Sequence, residues 1–132
     1  MTWRARAAPA FFVRSPRGVR GMRPEDLLIP FPEGLYCPPA GVFIDPVRPV
    51  ARALITHAHS DHARAGHGAV LATRETLAIM ALRYGEDFAG ATQIAEPGQT
   101  LAVGEASVSF HPAGHVRGSA QIRIEWRGFV AV

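Results

Sequence analysis

The six residues from His57 to His62 contain three histidines and one aspartate, and this run constrains the chain more than any other feature. Imidazole binds Zn, Fe, Ni and Cu, whereas carboxylate also accepts harder ions such as Mn, so the mixture is typical of a transition-metal site, with zinc as the default. The preceding residues 53–56 are apolar and favour a strand. The sequence therefore predicts a metal site where a buried strand runs into a loop.

The spacing within the run indicates two ions rather than one. His57 and His59 are two residues apart, so their side chains project to the same side of an extended chain and can chelate a single ion. Asp61 and His62 are adjacent and point apart, and both can face a second ion only if the chain bends after Ser60. The alternative, ordinary surface histidines in a turn, accounts for one or two of these side chains but not for all four.

Four stretches of the chain carry a resemblance to a known family. These stretches are 34–38 (GLYCP), 43–46 (FIDP), 53–64, which includes the histidine run, and 112–121 (PAGHVRGSAQ). With them the chain resembles metallo-β-lactamase-fold hydrolases, and within these the bacterial ligase-associated DNA exonucleases, which are relatives of the β-CASP nucleases. The resemblance covers about residues 28–132 and implies an α/β (α+β) fold, the first half of an αββα sandwich.

The resemblance also implies roles for individual residues. His57, His59 and His115 are expected to bind a first ion, and Asp61 and His62 a second. Asp61 and His62 are the expected catalytic residues, with Asp61 both a ligand and a proton acceptor for the attacking water. The implied cofactors are two divalent metal ions, zinc or alternatively manganese. The implied partners are DNA, with RNA as the alternative, and a DNA ligase system.

Other polar residues receive supporting roles. Asp45 matches the first acidic motif of the family, and the resemblance implies that it supports the metal loop rather than binding the ion. Gly118 and Ser119 either present an amide and a hydroxyl to a phosphate or form a tight turn that requires glycine. His67 and His111 lie outside the matched ligand positions, so we expect both to be hydrogen-bonded structural histidines.

The family pattern extends beyond this chain. A bridging aspartate, a final histidine ligand and the inserted β-CASP domain do not occur before Val132. We therefore expect residues 24–132 to be a partial metallo-β-lactamase-like domain with an exposed apolar face, and to be inactive alone. Two alternatives stay open: another hydrolase of this fold, such as an RNA-processing nuclease or a thioesterase, and a non-catalytic metal-binding remnant.

The charge of the chain is unevenly distributed. Residues 1–23 carry six of the fourteen basic residues, all of them arginine, and no acid, while the formal net charge of the whole chain is only +3. We interpret residues 1–23 as a disordered or spuriously translated extension, because the sequence that resembles the family begins near Met22. A nucleic-acid-binding tail and a transit peptide are the alternatives.

No apolar run is long enough to span a bilayer. A single cysteine, Cys37, excludes an internal disulfide and favours a reducing cytoplasm.

Hydrophobic periodicity predicts one long helix and several short strands. The helix is expected over Arg74–Tyr84, with Gly85 as its C-terminal stop, and a further short helix over Asp61–Gly66. We interpret the Pro-rich segments Pro30–Pro32 and Cys37–Pro39 as ordered loops. Strands are expected at Val42–Asp45, Arg52–Thr56, Ala69–Ala72, Thr100–Val103, Ala106–Phe110, Gln121–Trp126 and Phe129–Val132.

Overall fold

The computed structural model describes residues 23–132, so the arginine-rich segment lies outside the described residues except for Arg23. A short 3-10 helix at Pro24–Asp26 precedes ten strands and one α-helix. The strands are β1 (Ile29–Phe31), β2 (Gly34–Cys37), β3 (Val42–Ile44), β4 (Arg52–Leu54), β5 (His67–Ala72), β6 (Ala89–Ile94), β7 (Leu101–Val103), β8 (Ala106–Pro112), β9 (Ala120–Trp126) and β10 (Phe129–Ala131), and the helix α1 is Arg74–Tyr84.

The strands form two sheets. The first contains β1 to β6 in chain order; β1, β2 and β3 pair antiparallel, whereas β3, β4, β5 and β6 pair parallel. The second is antiparallel, with the order β10, β9, β8, β7. Because β3 and β4 are parallel neighbours, the loops that follow them leave the same edge of the first sheet. The histidine run follows β4 and Asp45 follows β3, so topology brings these two parts of the sequence together.

Apolar side chains on both sheets form the larger core between them. Alternation along β8 and β9 directs their apolar side chains into it, as the sequence predicted. Phe110 and Ile124 are almost completely buried, and Trp126 is 9% exposed. A second, smaller core lies between the first sheet and α1, where Val70, Leu77 and Met80 are buried. The order of layers is therefore helix, sheet, sheet.

The helix α1 has the predicted boundaries. It begins after Thr73, whose hydroxyl accepts a hydrogen bond from the Thr76 amide, the usual stabilisation of a helix N-terminus. It ends at Gly85, which has φ of 95° and donates its amide to the Ala81 carbonyl. Its buried side chains are Thr76, Leu77 and Met80, and Leu77 and Met80 belong to the core that α1 shares with the first sheet.

The seven predicted strands are all present, with ends within two residues of the prediction. Three further strands, β1, β2 and β6, were not predicted, and the Pro-rich stretch at Pro30–Pro32 is partly strand rather than loop. The predicted short helix at Asp61–Gly66 was wrong. Residues 60–62 form a single turn, in which the amides of His62 and Ala63 both donate to the His59 carbonyl.

The surface of the described part also carries apolar side chains. Leu82 is 87% exposed and Val132 is 79% exposed. An apolar cleft of about 270 Å³ lies beside the second sheet, lined among others by Leu35, Ile44 and Ile124. None of the helices within residues 23–132 has the length and apolar character needed to cross a membrane.

Cys37 is a free thiol with no exposed surface, packed in the core between the sheets. Burial raises its pKa from 9.0 to about 11, because the interior disfavours the thiolate.

Candidate metal centre

Two loops form the candidate site. Residues 55–66, here called the metal loop, connect β4 to β5 and carry the histidine run. Residues 113–119, the His115 loop, connect β8 to β9 and carry His115. The Ala120 amide donates to the Thr56 carbonyl at 2.8 Å, and this bond joins the two sheets beside the site. The first loop therefore belongs to one sheet and the second to the other.

Three imidazole rings converge at this position. The ring centroids of His57, His59 and His115 lie 4.9 to 5.0 Å apart. The Nε2 atom of His115 is 3.3 Å from the Nδ1 atom of His59, and one nitrogen from each ring lies within 4.8 Å of the others. Three nitrogens at such separations can bind one tetrahedral ion and leave a fourth position open. The donor set therefore fits the first ion expected from the sequence.

Asp61 and His62 form the second pair of donors. The chain bends after Ser60, and the Nε2 atom of His62 lies 3.6 Å from Oδ2 of Asp61. The Asp61 side chain is 74% exposed, so it approaches this position from the solvent side. His62 and Asp61 form the second half-site, with two donors. His57, His59 and His115 form the first half-site, with three donors. The assignment of Asp61 and His62 to a second ion stays a prediction.

The carboxylate of Asp45 organises both halves through hydrogen bonds. Its Oδ1 accepts from the Thr56 amide at 2.8 Å. Its Oδ2 lies 2.6 Å from the Thr56 hydroxyl and 2.8 Å from Nδ1 of His62. The Thr56 hydroxyl in turn lies 2.7 Å from Nδ1 of His57. Asp45 thus contacts one histidine directly and another through a single threonine.

These contacts determine which ring nitrogens carry protons. A carboxylate only accepts hydrogen bonds, so both Nδ1 of His62 and the Thr56 hydroxyl donate to Asp45. The Thr56 oxygen then accepts from Nδ1 of His57. Both histidines are left with an unprotonated Nε2, which is the form that binds a metal. This is the orienting role expected of groups hydrogen-bonded to metal ligands.

One oxygen of Asp45 also lies within 4.8 Å of nitrogens of His57 and His62, which could itself be read as a metal triad. We interpret it differently, because both Asp45 oxygens already accept hydrogen bonds, from Thr56 and His62. The supporting role that the resemblance implied for Asp45 stays a prediction, and these hydrogen bonds are the geometry that such a role requires. Thr56 was not singled out from the sequence, since no local pattern distinguishes it from any β-branched residue at a strand end.

A tight turn holds the His115 loop in place. The Ser119 hydroxyl accepts from the amides of His115 at 3.0 Å and Val116 at 3.2 Å, and the Ser119 amide donates to the Val116 carbonyl. Gly118 has φ of 81°, a conformation that favours glycine. The Gly118 carbonyl accepts from the hydroxyl of Thr73, at the start of α1, at 2.7 Å. The geometry therefore favours the tight turn over the phosphate contact, the two explanations that the sequence left open for Gly118 and Ser119.

The two remaining histidines of the loops and strands have structural contacts. His67 is 2% exposed, and its Nδ1 accepts from the Val50 amide at 3.2 Å. The Nε2 atom of His111 lies 2.8 Å from the Ser109 hydroxyl. Neither belongs to a convergent donor group within the described residues.

The electrostatics of the cluster favour neutral imidazole at His57. Burial, and after it the neighbouring His62, lower the pKa of His57 below its usual 6.5, although Asp45 opposes this. A histidine that stays neutral at lower pH keeps its lone pair available to an ion.

Comparison with known proteins places these features in a wider context. No protein-family model matches the chain. A 98-residue stretch is 38% identical to a protein from Opitutus terrae named as a probable DNA ligase, covering 74% of this chain and 9% of that protein. The chain therefore spans about a tenth of the length of this curated relative.

Two solved structures resemble the chain. A CmlA β-hydroxylase variant gives a TM-score of 0.51 at 17% identity, covering 93% of this chain and 35% of that one. A B3 metallo-β-lactamase with an active-site glutamic acid gives a TM-score of 0.47 at 23% identity, covering 75% of this chain and 50% of that one. The mixed α+β class predicted from the sequence is confirmed, and the chain shares its fold with part of the CmlA β-hydroxylase structure.

Proposed function

We propose that the chain is the metal-binding part of a metal-dependent hydrolase that acts on phosphodiester bonds at DNA ends. The observation that carries the proposal is the convergence of His57, His59 and His115, which adjoins a second pair of donors, Asp61 and His62. The name of the Opitutus terrae relative supports DNA as the substrate and a DNA ligase system as the partner.

The chemistry of the proposal follows from the donor set. When bound, two neighbouring divalent ions lower the pKa of a shared water and offset the negative charge that develops on a phosphodiester. Asp45 and Thr56 keep the protons of His57 and His62 on Nδ1, so that their Nε2 atoms remain available as ligands. Asp61 is exposed and borders the second half-site, so it can also accept the proton of an attacking water.

Metal content is the first test. The purified chain is expected to hold close to one zinc per molecule by elemental analysis, because three donors converge at the first half-site and two at the second. His115→Ala is expected to weaken zinc binding as much as His59→Ala. His111→Ala is the matched control, since His111 contacts Ser109 outside the cluster. A stronger effect of His111→Ala would overturn the assignment of His115.

Activity is the second test. We expect the whole protein that contains this chain to release nucleotides from end-labelled DNA with Zn or Mn, and Asp61→Ala to abolish that release. Residues 1–132 alone are expected to be inactive, since loss of positioning of the reacting groups costs several orders of magnitude in rate. Activity on RNA but not on DNA would move the assignment to RNA processing.

A second candidate is metal binding without hydrolysis. The exposure of Asp61 and the two-donor composition of its half-site favour it. Zinc retention together with no release of nucleotides from DNA or RNA by the whole protein would establish this candidate instead.

A further inference from the structure

A cavity of about 510 Å³ lies beside the metal loop. Its walls come from the loop between β3 and β4, from the turn of the histidine run and from the end of α1. The residues that matter here are Arg48, Ser60, Asp61, Arg64 and Tyr84. Because Asp61 lines the cavity and lies 3.6 Å from His62, the cavity opens directly onto the second half-site.

Two arginines of the cavity have no partner within the described part of the chain. Arg48 and Arg64 are exposed and make no hydrogen bond or ion pair with residues 23–132. Most other arginines there are occupied, for example in the ion pairs Arg74–Glu96 and Arg123–Glu125. Two guanidinium groups thus face a cavity that contains only one carboxylate, Asp61.

Two hydrogen bonds connect the end of α1, which contributes Tyr84 to the cavity, to the metal loop. The Tyr84 hydroxyl donates to the Ala63 carbonyl at 2.8 Å, and Nη1 of Arg83 donates to the Ala58 carbonyl at 2.6 Å. Both carbonyls belong to the metal loop, so these two hydrogen bonds join the end of α1 to the metal loop. Tyr84 is 38% exposed, which leaves part of its ring open to the cavity.

We propose that this cavity binds a phosphate group of a nucleic-acid strand, next to the phosphodiester at the metal loop. Guanidinium groups match the geometry and charge of phosphate, and the Ser60 hydroxyl adds a donor. The fixed ring of Tyr84 offers a surface for a sugar or base. The inference rests on the proposed function, because the phosphodiester it places is the one that the metal loop would cut.

The test measures binding of a fluorescent single-stranded DNA with phosphorothioate linkages, which resist hydrolysis, to the zinc-loaded chain. Arg48→Gln and Arg64→Gln are each expected to weaken binding about 3- to 5-fold, the upper range for an exposed ion pair. Each is also expected to reduce the slope of log K against log salt by about 0.7, the contribution of one phosphate contact on a single strand. Arg127→Gln removes the same charge from the turn between β9 and β10 and is expected to change neither value.

Equal weakening by Arg127→Gln, or no effect of the two cavity variants, would overturn the proposal, because binding would then follow net charge or lie elsewhere. Displacement of the strand by equimolar inorganic phosphate would overturn the assignment to a strand phosphate. Arg48 and Arg64 make no hydrogen bond or ion pair with the described residues, so unchanged zinc content and unfolding are expected in both variants. If the whole protein cuts no nucleic acid while these variants still lose strand binding, the proposed function fails and the cavity assignment stands.

Discussion

Gly118 tests whether the start of α1 positions a metal ligand on the opposite sheet. A Cβ atom at Gly118 would lie 2.6 Å from Cβ of Glu75 and 3.1 Å from both the Thr73 hydroxyl and the Thr76 amide nitrogen. All three atoms belong to the first turn of α1 or to its N-cap. The closest, Cβ of Glu75, is attached directly to the helix backbone, so the His115 loop must move. Gly118→Ala is therefore expected to displace His115.

The magnitude combines two costs. An alanine at φ of 81° is strained by about 1–2 kcal/mol. Loss of the 2.7 Å bond from Thr73 to the Gly118 carbonyl costs about 1 kcal/mol more. The free energy of unfolding should fall by about 2–3 kcal/mol. Displacement of His115 should weaken zinc affinity about 10- to 100-fold, the range for a lost orienting contact.

Gly114 supplies the matched control. It lies in the same loop with φ of 75°, yet a Cβ atom there would meet nothing within 4 Å. Gly114→Ala should therefore carry the strain but spare zinc affinity. Urea unfolding of the metal-free chain and zinc titration against a chromophoric chelator measure the two quantities. Equal zinc affinity in the Gly118→Ala and Gly114→Ala chains would refute the proposed link between α1 and His115.

Three further outcomes follow from contacts described above. Thr56→Val should weaken zinc affinity about 10- to 100-fold while Thr56→Ser retains it, because the Thr56 hydroxyl links Asp45 to His57. Equal zinc affinities of the Thr56→Val and Thr56→Ser chains would disprove that link. Burial lowers the pKa of His67, so the unfolded chain binds a proton at this residue before the folded chain does, and the free energy of unfolding should fall as the pH drops below about 6.5. The urea midpoint measured from pH 7.5 to 5 tests this, and its pH dependence should be smaller in His67→Asn. Cys37, with a pKa of about 11, should react with a thiol reagent at pH 8 only after urea unfolding, and rapid native labelling would contradict its burial.

The sequence predicted those elements whose signals are local. The helix α1 was predicted with its observed bounds because Thr73 and Gly85 act as end signals within the chain itself. Strand β6 has the sequence AGATQI, in which only Thr92 and Ile94 favour a strand and Gly90 opposes one, and its pairing with β5 decides its conformation. A Cβ atom on Gly90 would meet the Gly68 carbonyl at 2.6 Å, so the close approach of β5 and β6 depends on a glycine that periodicity cannot recognise.

The candidate site divides in the same way. His57 and His59 are evident from spacing alone, whereas His115 was matched only through the resemblance, because fifty-five residues separate it from His59 along the chain. Thr56 and Thr73 were missed because their roles depend on partners on other elements, Asp45 and Gly118. The expected helix at Asp61–Gly66 failed for a related reason: its first turn forms, but the chain must then enter β5, which is fixed by its neighbours.

The hydrogen bonds of Asp45 make the two half-sites thermodynamically linked. One carboxylate oxygen contacts both His62 and the threonine that orients His57, so neither histidine can change its protonation without altering the other's environment. Linkage is reciprocal, so an ion bound at either half-site must change the affinity of the other by the same factor. For the same reason the effects of substitutions at Thr56 and His62 should not add. We therefore expect an ion bound at the histidine cluster to change the affinity of the Asp61–His62 half-site for a second ion, so that the two affinities must be measured together.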